Sequence, residues 1–479
     1  MTRDRIQALK VAVVGHTNTG KTSLMRTLMR DVSFGEVSDR PATTRHVEGA
    51  ALNVEGQPLI ELYDTPGIED SIALLDWLAE MRTDHRADGV AVVRSFLDSP
   101  DAAAGARFSQ EAKVLRQVLN SDVALYVIDA RDRVLGKHRD ELEILSWCAR
   151  PVVPVLNFTA SPEARTVEWR DHLSRVNLHA VAEFDTIVVD EHGERRLFEK
   201  MRTLLDRHQE TLDALIRQRA TERDRLIAAS ARLVADMVLD VAACSITVPL
   251  TSNSDSAAAI ESLKQRVRER EQRGVMDLLE LHRFRPEDCA AADLPIEQGQ
   301  WGFDLFSSAA LKQFGVRTGS AAAAGALAGL SIDAVLHGLS LGAGAALGAA
   351  IGAAFGAGQL HGRRLIDRMR GFSELRCDDA TLRLLMVRQI WLVRALLRRG
   401  HASVEPIRMD ARGEQLRALG KLKLPSIVAD ARTHPQWSRL DARHQSPPAP
   451  GSLSEQSRAV ALDSLTDAIR TQLGAHALD

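Results

Sequence analysis

The chain has 479 residues, 26% of them charged and 45% hydrophobic, which suits a folded protein too long for a single core and implies two or three domains. Its net charge of −3 at pH 7 excludes a uniformly basic polyanion binder, so nucleic acid is not expected as a partner. The four cysteines, Cys148, Cys244, Cys289 and Cys377, lack any CxxC spacing, which argues against structural zinc and for a reducing compartment. Met1–Ile6 leads into an apolar run without room for a signal peptide, so a cytoplasmic location is expected.

In chain order, Val11–Val14 has the pattern of a strand. It is followed at once by Gly15-His16-Thr17-Asn18-Thr19-Gly20-Lys21-Thr22 and a helical stretch beginning at Ser23. GxxxxGKT between a strand and a helix makes a phosphate-binding loop. The glycines let the backbone curl so that successive N–H groups face a phosphate chain, Lys21 reaches the outer phosphates, and the Thr22 hydroxyl is placed for Mg²⁺. A turn-rich stretch leads to Pro41-Ala42-Thr43-Thr44-Arg45. A threonine here, with Thr44 the expected one, brings its hydroxyl onto Mg²⁺ only while a γ-phosphate is present.

Two strands are predicted at 46–54 and 59–63, joined by a turn at Glu55-Gly56-Gln57. The second runs into Asp64-Thr65-Pro66-Gly67, whose carboxylate suits water-mediated Mg²⁺ binding and whose Gly67 N–H suits contact with a γ-phosphate. Extra helices and a flexible loop at Asp98–Gly105 are expected as an insertion near 80–115. Strands are predicted at 123–128, 152–156 and 180–188, with a helix at 139–148. Strands alternating with helices mean a mostly parallel sheet covered on both faces, the α/β P-loop NTPase architecture.

These segments resemble the translation-factor-related GTPases, specifically the Era/TrmE branch, through Asn18 at the fourth loop position, the Thr-Thr-Arg switch and Asp-Thr-Pro-Gly. The resemblance covers about residues 8–205. It implies GTP/GDP as the nucleotide, contacted by Gly15, His16, Thr17, Asn18, Thr19, Gly20, Lys21, Thr22, Ser23, Asp64, Asn157 and Phe158. It also implies Mg²⁺ on Thr22, Thr44 and Asp64, K⁺ beside Asn18, and catalysis through Lys21, Thr44 and Gly67. Ile68 stands where Ras-like enzymes carry a water-orienting glutamine, and an aliphatic side chain cannot orient water by hydrogen bonding; slow intrinsic hydrolysis is expected. The base-recognition loop departs from the family's Asn-Lys-x-Asp. Here Asn157-Phe158-Thr159-Ala160 keeps the asparagine but loses the lysine and the guanine-reading aspartate. Phe158 can stack on a purine, and Asp185 is a substitute carboxylate to consider.

The expected organisation is a P-loop GTPase domain at 1–205, an all-α domain at 206–443, and a linker with a terminal helix at 444–479. Long helices are predicted at 208–243 and 255–282. Gly344, Gly348, Gly352 and Gly356 recur every fourth residue within a Gly/Ala-rich segment at 319–358, the packing pattern of a glycine-zipper hairpin. Its two helices, near 321–336 and 341–357, would each reach only about 25 Å, against a hydrocarbon core of about 30 Å. A membrane-associated hairpin and a water-soluble, tightly packed one both remain open. The helix at 380–399 has arginines opposite leucines, suiting either an anionic membrane surface or a core with a solvated arginine face.

Three functions fit. One is a GTP-hydrolysing switch driving a helical domain, either free or at the inner membrane surface. The second is a ribosome or RNA assembly GTPase. The third is a membrane scaffold whose homo-oligomerisation is controlled by nucleotide.

Overall fold

The structure, a computed structural model, describes residues 8–30, 48–54, 57–82, 88–188, 192–249, 253–284, 296–297, 300–301, 304–307, 310, 330–332, 372–399, 422–440 and 452–474. Two compact units divide the chain: 1–224 with 397–405, and 225–396 with 406–479.

The first unit follows the alternation read from the sequence. Its strands are β1 (Leu9–Val14), β2 (Glu48–Val54), β3 (Gln57–Asp64), β4 (Val123–Asp129), β5 (Val152–Asn157) and β6 (Ala182–Glu183). They form one sheet in the order β2-β3-β1-β4-β5-β6. Only β2 runs antiparallel, as the hairpin partner of β3. Because side chains alternate along a strand, Val11 and Val13 enter the core shared with Leu24 and Leu28 of α1 (Lys21–Met29), while Ala12 and Val14 enter the opposite one. That second core holds α2 (Ser71–Met81), α3 (Gly89–Leu97), α4 (Ser109–Leu119), α5 (Gly136–Trp147) and α6 (Thr166–Arg175). The first also contains α7 (Gly193–Leu204) and the start of α8 (Gln209–Ala243). Burial on both faces explains why β4 is apolar almost throughout.

Two expectations need correction here. The flexible loop expected at 98–105 includes a 3-10 turn, Pro100–Ala102, with Ala102 buried. Trp77 Nε1 donates to Asp101 at 3.0 Å and packs edge-on against Phe96, so aromatic packing orders the segment. The strand expected at 180–188 shrinks to two residues. Asp185 Oδ1 accepts from the amides of Ile187 and Val188, a side-chain turn that draws the backbone away from the ladder.

The second unit is mainly helical, as expected. It holds the rest of α8, α9 (Asn253–Leu281), α10 (Asp379–Arg398), α11 (Ser426–Ala431) and α12 (Leu453–Gly474). It is not purely α. A short hairpin joins β8 (Ile296–Glu297) and β9 (Gln300–Trp301), and β10 (Leu330–Ile332), β11 (Phe372–Cys377) and β7 (Ile246–Pro249) form an antiparallel sheet in that order. β10 therefore interrupts the helix expected at 321–336, because its backbone completes the second edge of β11. The remainder of the 319–358 hairpin lies outside the described residues. Among those described, no helix is long and apolar enough to cross a membrane.

The arginine-bearing helix at 380–399 is a core helix, with Leu384, Leu385, Ile390, Leu392 and Leu396 buried and Arg398 exposed, but its arginine face is not solvated throughout. Arg388 is fully buried, with its guanidinium 3.4 Å from buried Glu271 and stacked over Trp301 at 4.6 Å. Burial is the largest influence on both partners, raising the Glu271 carboxyl pKa and lowering that of Arg388, while each charge opposes the shift of the other. A second buried network joins Asp236 and Asp240 of α8 to Arg270 of α9 and Arg458 of α12.

Candidate nucleotide site

The site grows from the end of β1. Gly15 has φ +145° and lies against the Val127 carbonyl of β4, where a side chain would collide. Asn18 takes the left-handed conformation at φ +67°, which asparagine tolerates better than most residues. Gly20, at φ +89°, passes so close to the Asn157 amide that no Cβ fits. Thr19 Oγ1 donates to the His16 carbonyl at 3.0 Å, bracing the curl. Thr17 and Ser23 are half-buried at the two ends of this stretch, and Asn18 is exposed.

Lys21 opens α1 with its side chain folded back over the loop. Nζ donates to the carbonyls of Gly15 at 3.1 Å and His16 at 2.8 Å. Burial lowers its pKa, opposed by the charges of Asp64 and Glu141. The Thr22 hydroxyl donates to Asp64 Oδ2 at 2.5 Å, so the two groups expected at Mg²⁺ converge from α1 and the end of β3. A hydroxyl and a carboxylate are hard oxygen donors, and so few of them suit an ion that keeps waters and phosphate oxygens as its other ligands. They fit Mg²⁺. Among the described residues no group of three or more His, Cys, Asp or Glu could hold a metal by itself.

Thr65 Oγ1 donates to the Val13 carbonyl at 2.8 Å, fastening the Asp64–Gly67 segment beside β1. A Cβ on Gly67 would lie 2.8 Å from the Thr17 backbone nitrogen, so glycine is required by this approach. Ile68 bridges to His16 through the backbone, and its side chain is buried in the core. It therefore supplies no polar group to the phosphate side.

Asn157 joins three segments from the end of β5. Its Nδ2 donates to the Thr19 carbonyl at 3.0 Å, while Oδ1 accepts from the amides of Phe158 at 2.9 Å and Thr186 at 3.0 Å. Phe158 has φ +57°, a strained conformation for a bulky side chain. Its ring lies under the Arg131 guanidinium at 4.2 Å, and Arg131 grips Asp129 through two hydrogen bonds. Asp185, considered as a substitute base-reading carboxylate, spends both oxygens on the amides of Ala160, Ile187 and Val188. It shapes the loop.

Residues 170–457 match the family model described as "Domain of unknown function (DUF3482)". The chain belongs to this family. Ahead of the DUF3482 region and without overlap, residues 10–158 match the model described as "50S ribosome-binding GTPase". The tRNA modification GTPase MnmE of Synechococcus elongatus is 31% identical over 148 residues, 29% of this chain and 30% of that protein. MnmE of Natranaerobius thermophilus is 25% identical over 170 residues, 36% and 35% of the two chains. The chain thus spans about a third of the length of these curated relatives. Among solved structures, Era bound to MgGDPNP and a segment of 16S ribosomal RNA is 18% identical with a TM-score of 0.28, over 38% of this chain and 52% of that one. The G domain of the T. maritima FeoB iron transporter is 20% identical with a TM-score of 0.26, over 41% and 97%. The DUF3482 chain therefore carries an Era/TrmE-type P-loop GTPase domain followed by a separate domain.

Of the residues singled out in sequence, Gly15 to Ser23, Asp64, Gly67, Asn157 and Phe158 lie around one loop in this DUF3482 member. Thr44 lies outside the described residues. Sequence reasoning missed Glu141. This fully buried α5 carboxylate stands 3.0 Å from His16 Nδ1 and accepts from the Tyr126 hydroxyl at 2.7 Å. It also missed Arg131 and Thr186, which no motif marks.

Proposed function

We propose that the N-terminal domain binds GTP with Mg²⁺ and hydrolyses it, and that the presence of the γ-phosphate switches the conformation of the chain. The observation carrying this reading is the meeting of Thr22 and Asp64 beside Lys21 on a loop that no larger residue at Gly15 or Gly20 could form. A bound triphosphate competes with the Gly15 and His16 carbonyls for the Lys21 ammonium, and the loop amides supply further donors to phosphate oxygens. Mg²⁺, held by Thr22 and through water by Asp64, supplies charge neutralisation at the outer phosphates. The Gly67 N–H faces the γ-phosphate, and Thr44 joins the ion only in the triphosphate state.

With Ile68 buried, no side chain at its position orients the attacking water. Hydrolysis is therefore slow unless K⁺ beside Asn18 or a partner supplies the missing charge. Phe158 offers the base a stacking surface, but no carboxylate stands at position 160. Discrimination of guanine from adenine is correspondingly weaker than in a site that accepts two hydrogen bonds from guanine. The segment at 319–358 is the part of the second domain through which an inner-membrane surface or a second copy would be engaged. The second function weighed, RNA assembly, gains no specific support from the site.

Competition between GTP and ATP, each with potassium or sodium, on wild type and Lys21→Ala tests the reading. Wild type should bind GTP more tightly, hydrolyse it faster in potassium, and lose binding on Lys21→Ala. Equal affinity for both nucleotides would remove the guanine assignment. Indifference to potassium would remove the role of Asn18. Co-flotation with anionic liposomes tests the membrane reading separately.

A further inference from the structure

Between α5 and α6, beside the start of β5, the first unit holds a cavity of about 600 Å³, within the range of small-molecule sites. Leu142, Val152 and Leu178 give it an apolar lining, and Arg139 and Arg175 also border it. Among the described residues neither guanidinium has an ion-pair or hydrogen-bond partner. His172 lines the same cavity, is 8% exposed, and has a buried Nε2 without a hydrogen-bond partner. Burial, then the Arg139 and Arg175 charges, lower its pKa. The acidic lining group is Glu143, so at neutral pH the lining carries two positive charges and one negative.

We propose that this cavity binds a small organic monoanion, a carboxylate on an apolar body, and that its occupancy is felt at the phosphate loop. One negative charge balances the lining. Planar guanidinium forks match a carboxylate, and the His172 ring borders the same space. The apolar lining receives the body of the ligand.

The link to the phosphate loop is built from contiguous rings. His172 packs edge-on against Trp169 at 6.3 Å between centroids, Trp169 lies 4.9 Å from His138, and His138 lies 6.3 Å from His16 of the loop. One helix carries both ends, since α5 presents Arg139 and Leu142 to the cavity and holds Glu141 against His16. A ligand that shifts α5 therefore acts on the His16 side chain of the loop. This second half rests on the nucleotide reading above; the binding half does not.

The test uses the full chain, sodium benzoate as probe, the ring resonances of His172, and the affinity of a fluorescent GTP analogue. Benzoate should move the His172 titration midpoint upward, because a bound anion offsets the two arginines. The double variant Arg139→Gln/Arg175→Gln, at two exposed positions, should weaken benzoate binding by about tenfold or more. Saturating benzoate should change the GTP-analogue affinity of wild type by about fivefold or more, and leave that of the double variant unchanged. An unmoved His172, or equal benzoate binding by the variant, overturns the site. Inorganic phosphate binding as tightly as benzoate overturns the organic ligand. Benzoate bound with no change in analogue affinity overturns the coupling. Failure to bind the analogue without benzoate is instead a failure of the nucleotide reading, and takes only the coupling with it.

Discussion

Asn157→Ala is the sharpest probe of how the first unit holds its loops. The side chain is fully buried, and three of its bonds reach backbone groups: the Thr19 carbonyl, the Thr186 amide and the Phe158 amide. Truncation leaves the first two buried without partners and the third partly buried. At about 1–3 kcal/mol for each unsatisfied buried group, the expected loss is about 3–5 kcal/mol. In a unit of this size that lowers the melting midpoint by about 10 °C. Differential scanning calorimetry of the full chain, following the transition that nucleotide shifts upward, measures it. Asn157→Asp separates donor from acceptors, since it keeps both acceptor bonds but sets a carboxylate oxygen against the Thr19 carbonyl. That variant is destabilised at pH 7 and recovers relative to wild type as pH falls and the carboxyl protonates. A midpoint for Asn157→Ala within about 2 °C of wild type, less than about 1 kcal/mol, would refute the bracing role.

Restoring a carboxylate with Ala160→Asp should raise the preference for GTP over ATP by about tenfold or more, measured by competition; an unchanged ratio shows that the base does not reach this loop. Burial is the chief cause that pushes the His138 imidazole down to about 4. The unfolded chain takes up this proton near pH 6.5 and the folded chain does not, so the contribution is complete above that pH. It is lost progressively as pH falls towards 4, by about 2–3 kcal/mol. Denaturant unfolding across this window should show a shallower acid dependence for His138→Gln, and parallel curves would count against the burial argument. In the second unit, Arg388→Ala strands the buried Glu271 carboxylate and should cost about 3–5 kcal/mol, while Arg388→Met with Glu271→Leu should recover most of the loss. Equal destabilisation of the single and double variants would contradict this.

The elements that could be recognised early are those whose cause is local. Strand β1, the phosphate loop and α1 follow one another without a gap, and their conformation depends on glycines and on side chains a few residues apart. The β2–β3 hairpin and Asp64–Gly67 are of the same kind. The long helices α8 and α9 were also apparent from composition, within a residue or two of their observed ends.

What only tertiary structure decided involves partners far apart in the chain. Glu141 looks like any surface residue of a charged helix until Tyr126 and His16 close around it. Arg388 looked solvated until Glu271, more than a hundred positions earlier, met it in the core. β10 became a strand because β11 offered an edge, against the helix that the surrounding Gly/Ala-rich sequence suggested. Sequence by itself determined the phosphate chemistry, because a phosphate loop is made by backbone torsions that a few neighbouring residues impose. Tertiary structure decided which charges are buried and paired and where the base loop is braced. Desolvation is set by the whole surrounding core, and no local window of residues contains it.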